Sequence, residues 1–223
     1  MKLAFSLLVF LFTSFSSSLA NNLVRYGSSF EKAEIPNFDF GEKKPNLNVF
    51  SMALKGYSVL KSKGEIIKPY LSLIDFDLSA NEERLWVIDM QNFKVVYNTL
   101  VAHGRNSGEE FAKQFSNQEG SFQSSLGFYK TSSIYIGKHG KSLKLLGLEK
   151  NINDAAYQRG IVVHGADYVS REFIQTYGRL GRSQGCPAVP VEICEDLINL
   201  IQEGSCLFIY KTDASYLSQS TLI

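Results

Sequence analysis

Gly181-Arg182-Ser183-Gln184-Gly185-Cys186-Pro187-Ala188-Val189, read together with Gly160-Ile161-Val162-Val163-His164-Gly165 upstream, is the most informative part of this chain. The first stretch sets a cysteine in a glycine-flanked turn. The second reads as a short buried strand that ends in a histidine. Thiolate acyl transfer needs these two side chains, and the chain carries only three of each. A free thiol has a pKa of about 8.5, so only a few per cent is ionised at neutral pH. An imidazole that takes the proton supplies the nucleophile, and its positive charge then stabilises the thiolate. Cys186 is therefore the expected nucleophile and His164 the expected base. Gly165 and Gly185 allow other backbone to approach closely. The N–H groups near Gly185 and Cys186 are expected to form an oxyanion hole. Taken alone, a Cys and a His twenty-two residues apart fit a buried thiol and a satisfied core histidine as well.

Outward from this pair, the apolar pattern predicts a mainly β domain with a helix near each end. Leu47, Phe50, Leu54, Tyr57 and Leu60 recur at helical spacing, with Gly56 as a weak point. Strands are expected over 70–76, 85–89, 95–101 and 128–136, with Gly137 and Gly140 ending the last. The segment 104–123 is rich in Gly, Ser and Asn and reads as a functional loop, with a short polar helical piece near 109–115. Pro190 suits a first helical position. Ile193, Leu197, Leu200 and Ile201 give an apolar helix face, Gly204 is a stop, and 206–210 reads as a closing strand.

The N-terminus carries a different pattern. Lys2, the apolar run 3–12 and the small residues Ser18-Leu19-Ala20 resemble a cleaved secretory leader over 1–20. A polar arm is expected over 21–46, the domain over 47–211 and a tail over 212–223. No later stretch is apolar and long enough to span a bilayer, so no membrane association is expected once the leader is cleaved. Lys and Arg total 23 against 22 acidic residues. Loss of Lys2 with the leader would balance them, which gives no electrostatic reason to bind nucleic acid. Cys186, Cys194 and Cys206 are an odd set for an exported chain. Cys194 and Cys206 either pair or pack as small hydrophobes, and spacing does not decide between these.

Several blocks together resemble the bacterial L,D-transpeptidase catalytic domain family. His164-Gly165 and Ser183-Gln184-Gly185-Cys186 match its His-Gly and Ser-His-Gly-Cys motifs, with Gln184 in place of the second histidine. Leu71 to Phe76, Arg84 to Asp89, Val101-Ala102-His103-Gly104, Phe115-Ser116-Asn117 and Ser124-Ser125-Leu126-Gly127 resemble an exported subgroup. The resemblance runs from about Leu47 to Lys211. It implies a β-sandwich or barrel with the cysteine at a cleft, acting as a monomer without metal or cofactor on peptidoglycan stem peptides. Cys186 would attack the bond before the terminal D-alanine, and an amine or water would resolve the thioester. A binding protein that has lost turnover is the alternative. Arg182, Ser183 and Gln184 would shape the substrate site.

Departures from the pattern set further expectations. The spacer between His164 and Ser183 is long, which suggests a loop over the cleft. Pro187-Ala188-Val189 replaces the usual arginine or asparagine, so a stem carboxylate needs another cation: Arg182, Arg105 or Arg159. His103 either reaches the cleft in place of the missing histidine or is a structural residue bonded to a backbone carbonyl. His139 is expected to be solvated in a polar turn. Asp75 and Asp89 are expected to bond turns rather than to act in chemistry.

Overall fold

Runs of β-branched and aromatic residues make strands where both faces can be covered, and here eight such runs join one sheet. The computed structural model describes residues 38–223, so the leader expected over 1–20 and most of the expected polar arm lie outside the described residues. The strands are β1 (Tyr70–Asp75), β2 (Leu85–Asp89), β3 (Lys94–Thr99), β4 (Gly127–Gly137), β5 (Gly140–Gly147), β6 (Val162–Gly165), β7 (Ala188–Val189) and β8 (Cys206–Tyr210). Their order is β3-β2-β1-β8-β4-β5-β6-β7. Pairing is antiparallel except at β1–β8 and β6–β7. Past β3 the chain comes round to the far edge: Ala102 bridges Ala188, its N–H donating to the Ala188 carbonyl at 2.9 Å. The sheet is thereby brought close to a closed barrel, which leaves little open edge.

Helix α1 (Leu47–Ser62) packs across β1 and β8, capped by Asn46, whose side chain accepts from the Asn48 and Val49 amides. Its buried face holds Phe50, Ala53, Leu54, Tyr57 and Leu60, whereas Leu47 is exposed because it starts the helix beyond the sheet. Gly56 lies on that face, and its place there is steric. A Cβ at Gly56 would come within 2.1 Å of the Phe128 ring, which itself stacks on Phe208 at 4.1 Å. Phe38 and Phe40, at the end of the polar arm, pack edge-on against Phe50, and Asp39 bridges Lys94. The arm is therefore part of the barrel wall from Phe38 onward.

Gly137 ends β4 as expected, and with Gly140, at φ +73°, it turns the chain into β5, a strand the sequence reading lacks. Two local readings are corrected. Residues 109–115 form no helix, because Ser79, Ser107 and Ala80 hold this loop by hydrogen bonds to Glu110, Lys113 and Gln114. Pro190 caps helix α3 (Val191–Ile201) rather than entering it, and the fully buried face of that helix is Cys194, Leu197, Ile198 and Ile201. Between β6 and β7 lies a short helix, α2 (Arg171–Tyr177), and the tail forms α4 (Ala214–Gln219). Among the described residues no helix is long and apolar enough to cross a membrane.

Gly56→Ala tests the close helix–sheet contact. The intrinsic helix gain of about 1 kcal/mol should be outweighed by overpacking of roughly 1–3 kcal/mol. Urea denaturation should show a less stable protein. Equal or greater stability would mean that the Phe128 ring yields freely.

Candidate active site

Strand β6 puts alternate side chains on opposite faces. Val163 enters the core, while Val162 and His164 border a cleft of about 510 Å³ that Cys186 also lines. The parallel register sets His164 opposite Ala188, two residues beyond Cys186. The Cys186 thiol accepts from the Val162 amide and points at the Gly160 carbonyl, with Sγ to O 3.8 Å. Sulfur and imidazole are thus both tied to the same short strand.

The imidazole tautomer follows from its partner. Nδ1 of His164 is 2.9 Å from the Gly165 carbonyl, which only accepts. Nδ1 therefore carries the hydrogen and Nε2 keeps its lone pair. Burial holds the His164 pKa below its ordinary value, and the nearby His139 and Lys138 add to this. Burial pushes the Cys186 thiol up, against smaller opposing effects of the Val162 amide and Arg159. Both shifts favour a neutral thiol beside a neutral imidazole in the resting site.

The cysteine turn is held by serines. Gly185 has φ +122°, and a Cβ there would meet the Gln123 carbonyl at 2.8 Å. Its amide donates to Ser183 Oγ at 3.0 Å, and Ser183 Oγ donates to the Cys186 carbonyl at 2.6 Å. Ser124 Oγ donates to the Gly185 carbonyl and accepts from the Gly104 amide, each at 3.0 Å. The Gly185 N–H, one of the donors expected for an oxyanion hole, is thus bonded to Ser183. Gly165 is needed for helix packing, since a Cβ would stand 3.1 Å from Cys194 Cβ.

Of the candidate cations, Arg182 lines the cleft but pairs with Glu109 at 2.7 Å. Arg159 also lines it, with its Nη atoms bound to Ser116, Ser121, Gln123 and Ser125. It pins the 116–125 loop to the cleft wall. Arg105 instead lies over the Phe122 ring at 4.1 Å. Gln184 is exposed at the cleft rim. Lys138, at the β4–β5 hairpin tip, also lines the cleft and was missed in the sequence because a Gly-Lys-His-Gly turn reads as solvent-exposed.

His103 does not reach the cleft. It is wholly buried, 2.8 Å from Arg84 through Nδ1, and its Nε2 donates to the Gly108 carbonyl at 3.3 Å. Burial and the adjacent guanidinium hold its pKa near 3, so it stays neutral. His139 is exposed at the hairpin tip, as expected of a polar turn, and its ring also stacks on His164, with centroids 4.5 Å apart at 24°. The long spacer packs mostly away from the cleft, with Arg171 bonding Glu83 and the Asn81 carbonyl, and only its Tyr168 and Arg182 border the site. Asp75 and Asp89 accept from turn amides at Asp77, Gln91 and Asn92. All three cysteines are free; Cys194 lies beside Gly165 on α3 and Cys206 begins β8 in the core. Among the described residues no group of three His, Cys, Asp or Glu is placed to hold a metal ion.

A family model described as the L,D-transpeptidase catalytic domain matches residues 41–210. Among curated proteins none matches the chain. Similar solved structures include an L,D-transpeptidase from Mycobacterium smegmatis, 12% identical over 64% of this chain and 59% of that one, with a TM-score of 0.40. L,D-transpeptidase 3 from Mycobacterium tuberculosis is 11% identical over 64% and 61%, with a TM-score of 0.41. The enzyme from Xylanimonas cellulosilytica is 14% identical over 64% and 61%, with a TM-score of 0.37. This chain thus spans about three-fifths of the length of these proteins.

A neutral resting thiol has a pH signature. The iodoacetamide rate at Cys186, read by mass spectrometry of its peptide, should still climb as the pH passes the ordinary thiol range. A plateau at neutral pH would reveal a resting thiolate instead.

Proposed function

The chain belongs to the L,D-transpeptidase catalytic domain family, and from that premise we propose that it is an exported cysteine acyltransferase acting on peptidoglycan stem peptides. The supporting observation is that Cys186 and His164 line one cleft, each tied to strand β6. His164 Nε2 takes the thiol proton as Sγ attacks the carbonyl carbon of the third stem residue. The oxygen gains charge facing the Cys186 N–H. The carbon–nitrogen bond to D-alanine breaks, and the imidazolium returns its proton to the leaving amine. An acceptor amine then attacks the thioester, gives its proton to His164 and releases the thiol. Lys138 is the cation that holds the stem carboxylate, since both Nη atoms of Arg159 are bound to the 116–125 loop. The leader-like pattern at 1–20 supports export, which places the enzyme where its substrate lies.

The test uses defined tetrapeptide muropeptides and mass spectrometry, with Cys186→Ala as control. A cross-linked dimer and free D-alanine should form with the unaltered protein, and both should fall at least about 10³-fold in the variant. Cys186-dependent tripeptide without dimer would make water the acceptor. D-alanine release that persists in Cys186→Ala would sink the proposal.

A further inference from the structure

The His139–His164 stack has no part in the proton transfers above. His139 stands at the exposed tip of the β4–β5 hairpin, while His164 is only 3% exposed. The hairpin reaches over the cleft, and Tyr135, Lys138 and His139 all line it. The His139 ring lies nearly parallel to the His164 ring and is one of the groups that shut water from it. Two imidazoles at this distance influence each other's protonation, because the second positive charge must be placed beside the first. Gln184, exposed at the opposite rim, does not titrate.

We propose that His139 is a positioning residue for the catalytic imidazole: it covers the His164 ring and keeps it unprotonated at pH values where an open histidine would already be charged. This deepens the acyltransfer reading, since a base must be free to accept the thiol proton. The hairpin tip thereby extends the working pH range of the site downward. It also ties base strength to hairpin position, because lifting the tip removes both cover and charge.

Other charges around the pair do not replace this contact. Lys138 on the same hairpin acts in the same direction on His164, after His139. Arg159 and the raised Cys186 thiol face from the other side of the cleft, with Glu119 and Tyr168 at its rim. Arg182 is neutralised by Glu109. Lys141, next to β5 residue Ser142 that pairs with His164, is neutralised by Glu195 of α3. Cys194 on the same helix is a neutral thiol, raised to about 11 by burial.

The chain has three histidines, and His103 is locked neutral. The His164 ring can therefore be followed against pH in a carbon–proton NMR spectrum. The His164 signal is assigned by its loss in His164→Gln. In His139→Ala its midpoint should rise by roughly 0.5–1 pH unit, because burial and like charge both oppose the imidazolium. His139→Phe restores the ring but not the charge, so its midpoint should fall between wild type and His139→Ala. The acid limb of D-alanine release should move up by the same amounts, with the plateau rate within about twofold if the role is positional. An unchanged His164 midpoint in both variants would overturn the proposal, as would a shift downward. Wild-type protein that releases no D-alanine would count against the acyltransfer reading alone, since the NMR titration decides the His139 contact without it.

Discussion

Two residues of parallel strand organise this site. β7 is only Ala188 and Val189, yet it is gripped on both sides, by β6 through His164 and Gly165 and by the chain after β3 through Ala102. These contacts bring the far edge of the sheet round to its first half and bring the cysteine turn to the histidine. Side chains alternate along a strand, so a slip of one residue would reverse the faces that Cys186 and His164 present. The small side chain of Ala188, fully buried, lets both neighbours approach. Parallel pairing needs a crossover, and the long spacer with α2 supplies it. What resembles an insertion over the cleft is thus largely the connection that the topology requires.

Such a short strand needs polar support from behind. Ser124 bridges Gly104 and Gly185, and Ser107 takes the Ser124 amide, so three segments distant in sequence share one buried network. Behind it Arg84 is fully buried, donates to the carbonyls of Leu78 and Val101 and to His103, and lies over the Phe76 ring at 4.7 Å. Burial lowers its pKa to about 9. Buried polar groups are costly unless bonded, and a bonded network fixes one geometry. Here the network shapes the loops that present the cysteine. His103 belongs to it as a neutral bridge between a guanidinium and a carbonyl.

The sequence made the strands and the Cys–His pair legible for one physical reason: both are local patterns. Leu85–Asp89 and Cys206–Tyr210 announce themselves by unbroken β-forming residues. β5 was hidden because Lys141 and Lys144 interrupt its apolar residues, although alternate positions such as Leu143 and Leu145 are buried. The contacts of His103 and His139 are not local in this way. A histidine at a strand end and one in a glycine turn differ in exposure only through their distant neighbours. Arg84 turns the first inward, and the hairpin carries the second over His164. Gly56 likewise looks like a helix defect until Phe128, seventy-two residues on, is seen to fill its space.

The resting electrostatics also bear on chemistry. A preformed thiolate–imidazolium pair would be reactive towards any oxidant or electrophile that enters an open cleft. With the thiol raised and the imidazole lowered, separating their charges is uphill until something in the cleft stabilises one of them. Substrate can do this by excluding water, which strengthens the interaction of thiolate and imidazolium with each other and with Arg159. The site then develops charge with substrate in place, where binding energy can offset its cost. This division of labour explains why a polar cleft floor and a covered base stand side by side. Arg159 and the Val162 amide favour the thiolate once formed, while burial and the hairpin keep the base neutral until it receives the proton, and the Gly165 carbonyl fixes its tautomer and supports the imidazolium that forms.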